Sequence, residues 1–94
     1  MSAKTVPESP RFTTADIVAS NIRAEAARLG YTQVQLGKLL GMSQGAITKR
    51  WRGVTPWQLA ELDRVANALG LSVVDLVQEP PNMQNATFSR GAEA

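Results

Sequence analysis

Apolar residues recur along this chain with the period of amphipathic helices, in blocks divided by glycine, proline and short polar turns. In the first block Val18, Ile22, Ala26 and Leu29 follow at spacings of four, four and three, a stripe that faces a core. Thr13 or Thr14 opens this helix, Thr13-x-x-Asp16 reads as a capping box with Asp in place of Glu, and Gly30 ends it. The second block runs from Gln33 to Leu40, with Thr32 as N-cap and apolar side chains at Leu36, Leu39 and Leu40. Gly41 stops it, because glycine enters the left-handed C′ conformation without a Cβ penalty. Met42 and Ser43 make a turn, Ser43 caps the next helix, and that helix spans Gln44 to Arg52 before Gly53. The fourth helix opens at Thr55-Pro56-Trp57-Gln58. Thr55 is its N-cap, Pro56 takes the first helical position where a missing N–H costs nothing, and Gln58 completes a capping box. Leu59, Leu62, Ala66 and Leu69 point inward and Gly70 closes the helix. Ser72 and Asp75 bracket a last capping box over a short helix from Val73 to Gln78.

This pattern predicts an all-α chain in three parts: an arm over residues 1–12, a helical domain over 13–78 and a tail over 79–94. Arm and tail each hold two prolines and no helical period, a composition that stays disordered on its own. The arm is either a passive extension or a segment whose Lys4 and Arg11 reach along DNA. In the tail, Met83 and Phe88 are the side chains a protein partner could grip. Val74, Leu76 and Val77 exceed what one short helix needs for its own packing, so some of them close the core and the remainder can meet a second copy of the chain.

The second and third blocks, joined by a short glycine-bearing turn, form a helix-turn-helix. On a helical wheel Ile47 and Trp51 fall together and mark the buried side of the third helix. Gly45, Thr48, Lys49 and Arg52 occupy the opposite arc, with Gln44 at the N-terminal tip. An amide, a hydroxyl, an ammonium and a guanidinium therefore share one exposed face, and these groups suit base edges and phosphates. Gly45 adds no side chain, so a surface can come close there.

Ninety-four residues make one small domain, to which association with a second copy or with DNA would add stability. Net charge is +2, but residues 1–53 carry eight basic and three acidic side chains, while 54–94 carry two basic and five acidic. The segment 31–53 has Lys38, Lys49, Arg50 and Arg52 and no acid, so a polyanion is drawn to that pole. With neither cysteine nor histidine, the chain offers no thiolate or imidazole metal ligands and no nucleophile–histidine pair. Glu61 and Asp63 lie two apart on a helix and diverge, so they make no acid–base couple. No glycine-rich loop follows a strand. The expectation is a binding protein rather than an enzyme, with no cofactor, no metal and no membrane span, and with the cysteine-free composition of a cytosolic protein.

Thr32–Gln33, Leu36, Leu40–Gly41, Ser43–Gln44, Ile47 and Arg52–Gly53 together resemble the helix-turn-helix of the lambda-repressor/Cro-like family, also called the XRE family. Asn21-Ile22-Arg23 is similar to that family's first-helix motif, and the resemblance extends over residues 15–78. It implies a compact five-helix bundle whose third helix enters the major groove, and a symmetric dimer on half-sites one helical turn apart. By position, Gln44, Thr48 and Lys49 read bases, with Gly45 among them. Gln33, Ser43, Arg50, Arg52 and Thr55 hold the backbone, and Gln33 braces a phosphate and touches Gln44. Arg23 either meets a phosphate or pairs with an acidic neighbour. Trp57 packs near Trp51 or the domain edge, or else approaches DNA. The fifth helix is a frequent dimer surface in this family. Tyr31 fills a usual apolar position; Gly37 stands where Ala is usual, and Arg50 where an apolar residue is. These features lead to a double-stranded operator, a homodimer and a transcriptional regulator of phage or bacterial repressor type. About five phosphate contacts per subunit would give a log–log salt slope near −9 for the dimer. The other reading is an antitoxin-type interaction module, whose tail or fifth helix binds a partner protein and whose DNA binding is secondary.

Overall fold

Short helices stand only when their ends are satisfied and one face is buried, and both conditions are met along this chain. The computed structural model describes residues 12–79, within which the elements are α1 (Thr14–Arg28), α2 (Gln33–Leu40), α3 (Gln44–Trp51), α4 (Leu59–Leu69) and α5 (Val73–Val77). The expectations for Lys4, Arg11, Met83 and Phe88 lie outside the described residues. Among the described residues no helix is long and apolar enough to cross a membrane.

Reciprocal capping boxes open α1 (Thr13 with Asp16), α2 (Thr32 with Gln35) and α5 (Ser72 with Asp75). Gly41 and Gly70 end α2 and α4 in the left-handed conformation, at φ 70° and 72°. The expected start of α4 is corrected. Gln58, not Thr55, is the N-cap, and its N–H donates to the Glu61 carboxylate at 2.9 Å. Pro56 precedes the helix. The cause is Trp57: its indole lies in the core, 8% exposed, which holds the chain extended until Gln58.

The core gathers Val18, Ile22 and Ala26 from α1, Leu36 and Leu40 from α2, and Ile47 from α3. Leu62, Val65, Ala66 and Leu69 from α4 and Leu76 from α5 complete it. Helix α1 packs on α5, α3 and α4, while α2 packs on α3 and α4. Tyr31 and Trp51 are half-buried against the same cluster.

Three leucines in the apolar pattern are exposed instead. Leu29 is the C-cap of α1, and the chain turns away there, bringing Tyr31 to the core. Leu39 lies about 60° outside the arc shared by Leu36, Gly37 and Leu40 at 100° per residue, and it is exposed. Leu59 has a suitable angle but sits in the first turn of α4, beyond the point where Trp57 has joined the core, and it is 83% exposed.

Polar side chains bind carbonyls at the C-terminal ends of three short helices, where intrahelical partners run out. The buried Asn21 amide donates to Leu76 O at 2.9 Å and Gln78 O at 2.8 Å, tying α5 to α1. Arg23 Nη1 donates to Trp51 O at 2.7 Å, so it fastens the end of α3 to α1. That is neither of the two roles expected for Arg23. Arg64 donates to Leu40 O at the end of α2.

Candidate nucleic-acid interface

α3 is seated by Ile47, which is fully buried, and by the approach of α2 at Gly37. A Cβ on Gly37 would lie 3.0 Å from Ile47 Cγ2, so glycine sets the spacing of the two helices. Ser43 caps α3 by accepting from Ala46 N–H at 3.2 Å, which engages its hydroxyl in the fold. With Ile47 inward, Gln44, Gly45, Lys49 and Arg52 are exposed and Thr48 is half-buried beside them.

The polar groups of this face are coupled. Gln33 Nε2 donates to the Thr48 hydroxyl at 2.6 Å, and Gln44 Nε2 donates to the same oxygen at 3.0 Å. The expected direct touch between Gln33 and Gln44 is therefore a bridge through Thr48. A Cβ at Gly45 would meet nothing within 4 Å, so the lack of a side chain there matters only to an approaching surface.

Among the described residues the ion pairs are Arg28–Glu25 and Arg50–Glu61. Lys49 and Arg52 lie outside both and carry their charge on the exposed arc. Arg52 also borders a cleft with Asp16, Ser20 and Arg23. Arg50, grouped from sequence with the backbone contacts, points elsewhere. Its Nε–H donates to Glu61 Oε1 at 2.9 Å and its Nη1 to Ala46 O at 3.3 Å, with the paired side chains only 14% and 15% exposed. Partial burial of Glu61 works to raise its pKa. The hydrogen bond from Arg50, the Gln58 N–H and the charges of Arg50 and Arg64 outweigh that, and the net pKa is lowered.

In the loop after α3, Val54 and Thr55 both donate their N–H groups to Lys49 O, at 2.8 and 3.2 Å. The N–H groups of Val54 and Thr55 are thus engaged within the fold, and the Thr55 side chain is half-buried. Sequence reasoning missed the roles of Glu61 and Arg64. The signal for Glu61 was present: an acid three residues after Gln58 marks a helix start.

A five-helix bundle, a helix-turn-helix packed at a glycine and an exposed basic arc on the second of its two helices define a DNA-binding domain of the kind found in transcription regulators. The chain belongs to the helix-turn-helix family HTH_3, the XRE or lambda-repressor-like group, whose profile matches residues 22–76. Its fold is similar to that of a hypothetical transcription factor, NHTF, from Neisseria (TM-score 0.71, 21% identity, 86% of this chain and 94% of that one). It is also similar to the clp gene regulator ClgR from C. glutamicum (TM-score 0.63, 25% identity, 86% of this chain and 95% of that one). No curated protein sequence matches it.

Proposed function

We propose that this chain is a sequence-specific repressor that binds a double-stranded operator as a symmetric dimer, with α3 in the major groove. The observation that carries this reading is the arc itself: Gln44, Thr48, Lys49 and Arg52 share one accessible face of a helix whose opposite face is locked by Ile47. Gln44 keeps its amide oxygen and one amide hydrogen after bonding Thr48, which suits the donor and acceptor edge of adenine. Lys49 suits a guanine edge. Gln33 braces these readers from behind, because its amide holds Thr48. Arg52 and the Thr55 hydroxyl hold phosphates. One short helix reads too few base pairs to be selective, so a second copy on a two-fold site supplies the rest. Val74 and Val77, exposed on α5 at 61% and 36%, support that helix as the contact between copies. With DNA as its target, the protein works in the cytoplasm, on the nucleoid.

Selection of binding sites from random duplex DNA tests this reading. It expects a two-fold motif with half-sites one helical turn apart; no enriched motif would sink it. In a salt titration, Lys38, Lys49 and Arg52 are the exposed cations of segment 31–53. With Lys49 at a base edge, Lys38 and Arg52 are left to neutralise phosphates, four in the dimer, which gives a log–log slope of about −4. Lys49→Ala should weaken binding by about 1–3 kcal/mol and relax preference at one base position.

A further inference from the structure

We propose that Arg50 and Glu61 are a positioning pair, whose contact between α3 and the start of α4 sets the pitch at which the reading arc meets DNA. The inference rests on the DNA-binding reading above. α3 packs on α1 and α2, and the polar bridge from α3 to α4 is this pair. Arg50 is held at two points, Ala46 O one turn back on its own helix and Glu61 Oε1 on α4. The same carboxylate oxygen accepts the Gln58 N–H that opens α4. α3, the guanidinium, the carboxylate and the first turn of α4 therefore form one chain of hydrogen bonds. The guanidinium fork is planar and holds its partners at fixed angles. Arg23 fastens Trp51 O from the α1 side, so Arg50 supplies the opposing hold near the same end of α3.

A well-shielded ion pair adds little net stability, because desolvation offsets attraction; its better-attested effect is to select one geometry over its neighbours. A reading helix needs just that, since Lys49 must reach a base edge from the residue next to Arg50. Arg50 shares α3 with the reading arc, while its guanidinium is bound to Glu61 and to Ala46 O.

The test uses R50M/E61Q in the full chain. The glutamine keeps the cap, as Gln35 does in α2 by accepting Thr32 N–H at 2.9 Å. Fluorescence anisotropy would measure affinity for the duplex that the wild type selects and for a random duplex of equal length. The expected result is a folded variant with about ten-fold lower affinity for the selected site, the scale of a lost base contact. Affinity for the random duplex and the salt slope should be unchanged. E61Q alone, which keeps an oxygen for Arg50 and for Gln58, should retain most of the discrimination. A shallower slope in R50M/E61Q, by about 0.9 per subunit, would mean that Arg50 touches a phosphate and would overturn the proposal. So would full discrimination in the folded double variant. If the double variant does not fold, R50K decides. It keeps the charge but not the two-point hold, so it should lose discrimination at constant slope, and full discrimination would overturn the proposal. Failure of the wild type to select any site would instead fault the DNA-binding reading.

Discussion

At Gly37 one absent carbon decides how closely α2 and α3 lie. Adding it would place a Cβ 3.0 Å from Cγ2 of Ile47, a fully buried β-branched side chain. Gly37→Ala gains helix propensity of about 1 kcal/mol but overpacks a tight contact at about 1–3 kcal/mol. The expected net effect is a loss of up to about 2 kcal/mol, read as a lower Tm. If α3 enters the groove as proposed, DNA affinity should fall further than stability, because α3 is the helix displaced. Unchanged Tm and affinity would show that Ile47 yields more easily than its burial implies. Gly45 makes the opposite case: a Cβ there meets nothing in the protein, so Gly45→Ala should leave Tm level or raised and act only on DNA binding.

The pair Arg50–Glu61 gives α4 a pH dependence at its first turn. Glu61 has a folded pKa below the ordinary glutamate value of about 4.3. Its stabilising share is therefore fully present above that value and is lost as pH falls through the lower folded one. Thermal unfolding followed from neutral to acid pH should show Tm dropping across that window, and E61Q should flatten this part of the curve. An identical acid profile in E61Q would mean that other carboxylates dominate.

At this same scale the chain was readable where a helix end depends on local residues. Thr13, Thr32, Ser43 and Ser72 cap as their spacing suggests, because a cap needs only its own first turn. α4 misled because Thr55-Pro56 is a sound local start that a distant demand overrides: the core takes Trp57. Leu29 and Leu59, expected to face the core, are exposed for a related reason, since hydropathy marks which residues can be buried and not where the bundle ends. For the interface, the exposed arc of α3 followed from the wheel. The engagement of Arg50 by Glu61 and of Arg23 by Trp51 O did not, because both depend on how α3 crosses α4 and α1.

For the whole molecule, the charge gradient and α5 belong together. The basic pole of segment 31–53 lies on the helix-turn-helix, while Val74 and Val77 stay exposed on α5. Val74→Glu with Val77→Glu should leave the monomer folded, since Leu76 is the buried anchor of α5. The double change should remove any dimer seen by sedimentation and weaken binding to a two-fold site much more than to a single half-site. Equal loss on both sites, or an unaffected dimer, would move the contact between copies elsewhere.

The hold of Asn21 on Leu76 and Gln78 also has a consequence for how the protein is made. Its amide meets partners 55 and 57 positions later in the chain. At translation rates of about 5–20 residues per second, it waits on the order of 3–11 s for them to be synthesised, and longer for them to leave the ribosome. Until then the nascent chain has α3 but an unfinished interior, because the face of α1 that α5 packs on is still open. The bundle therefore closes only once α5 has been made, and a chain cut short before Gln78 is open to proteolysis rather than partly active.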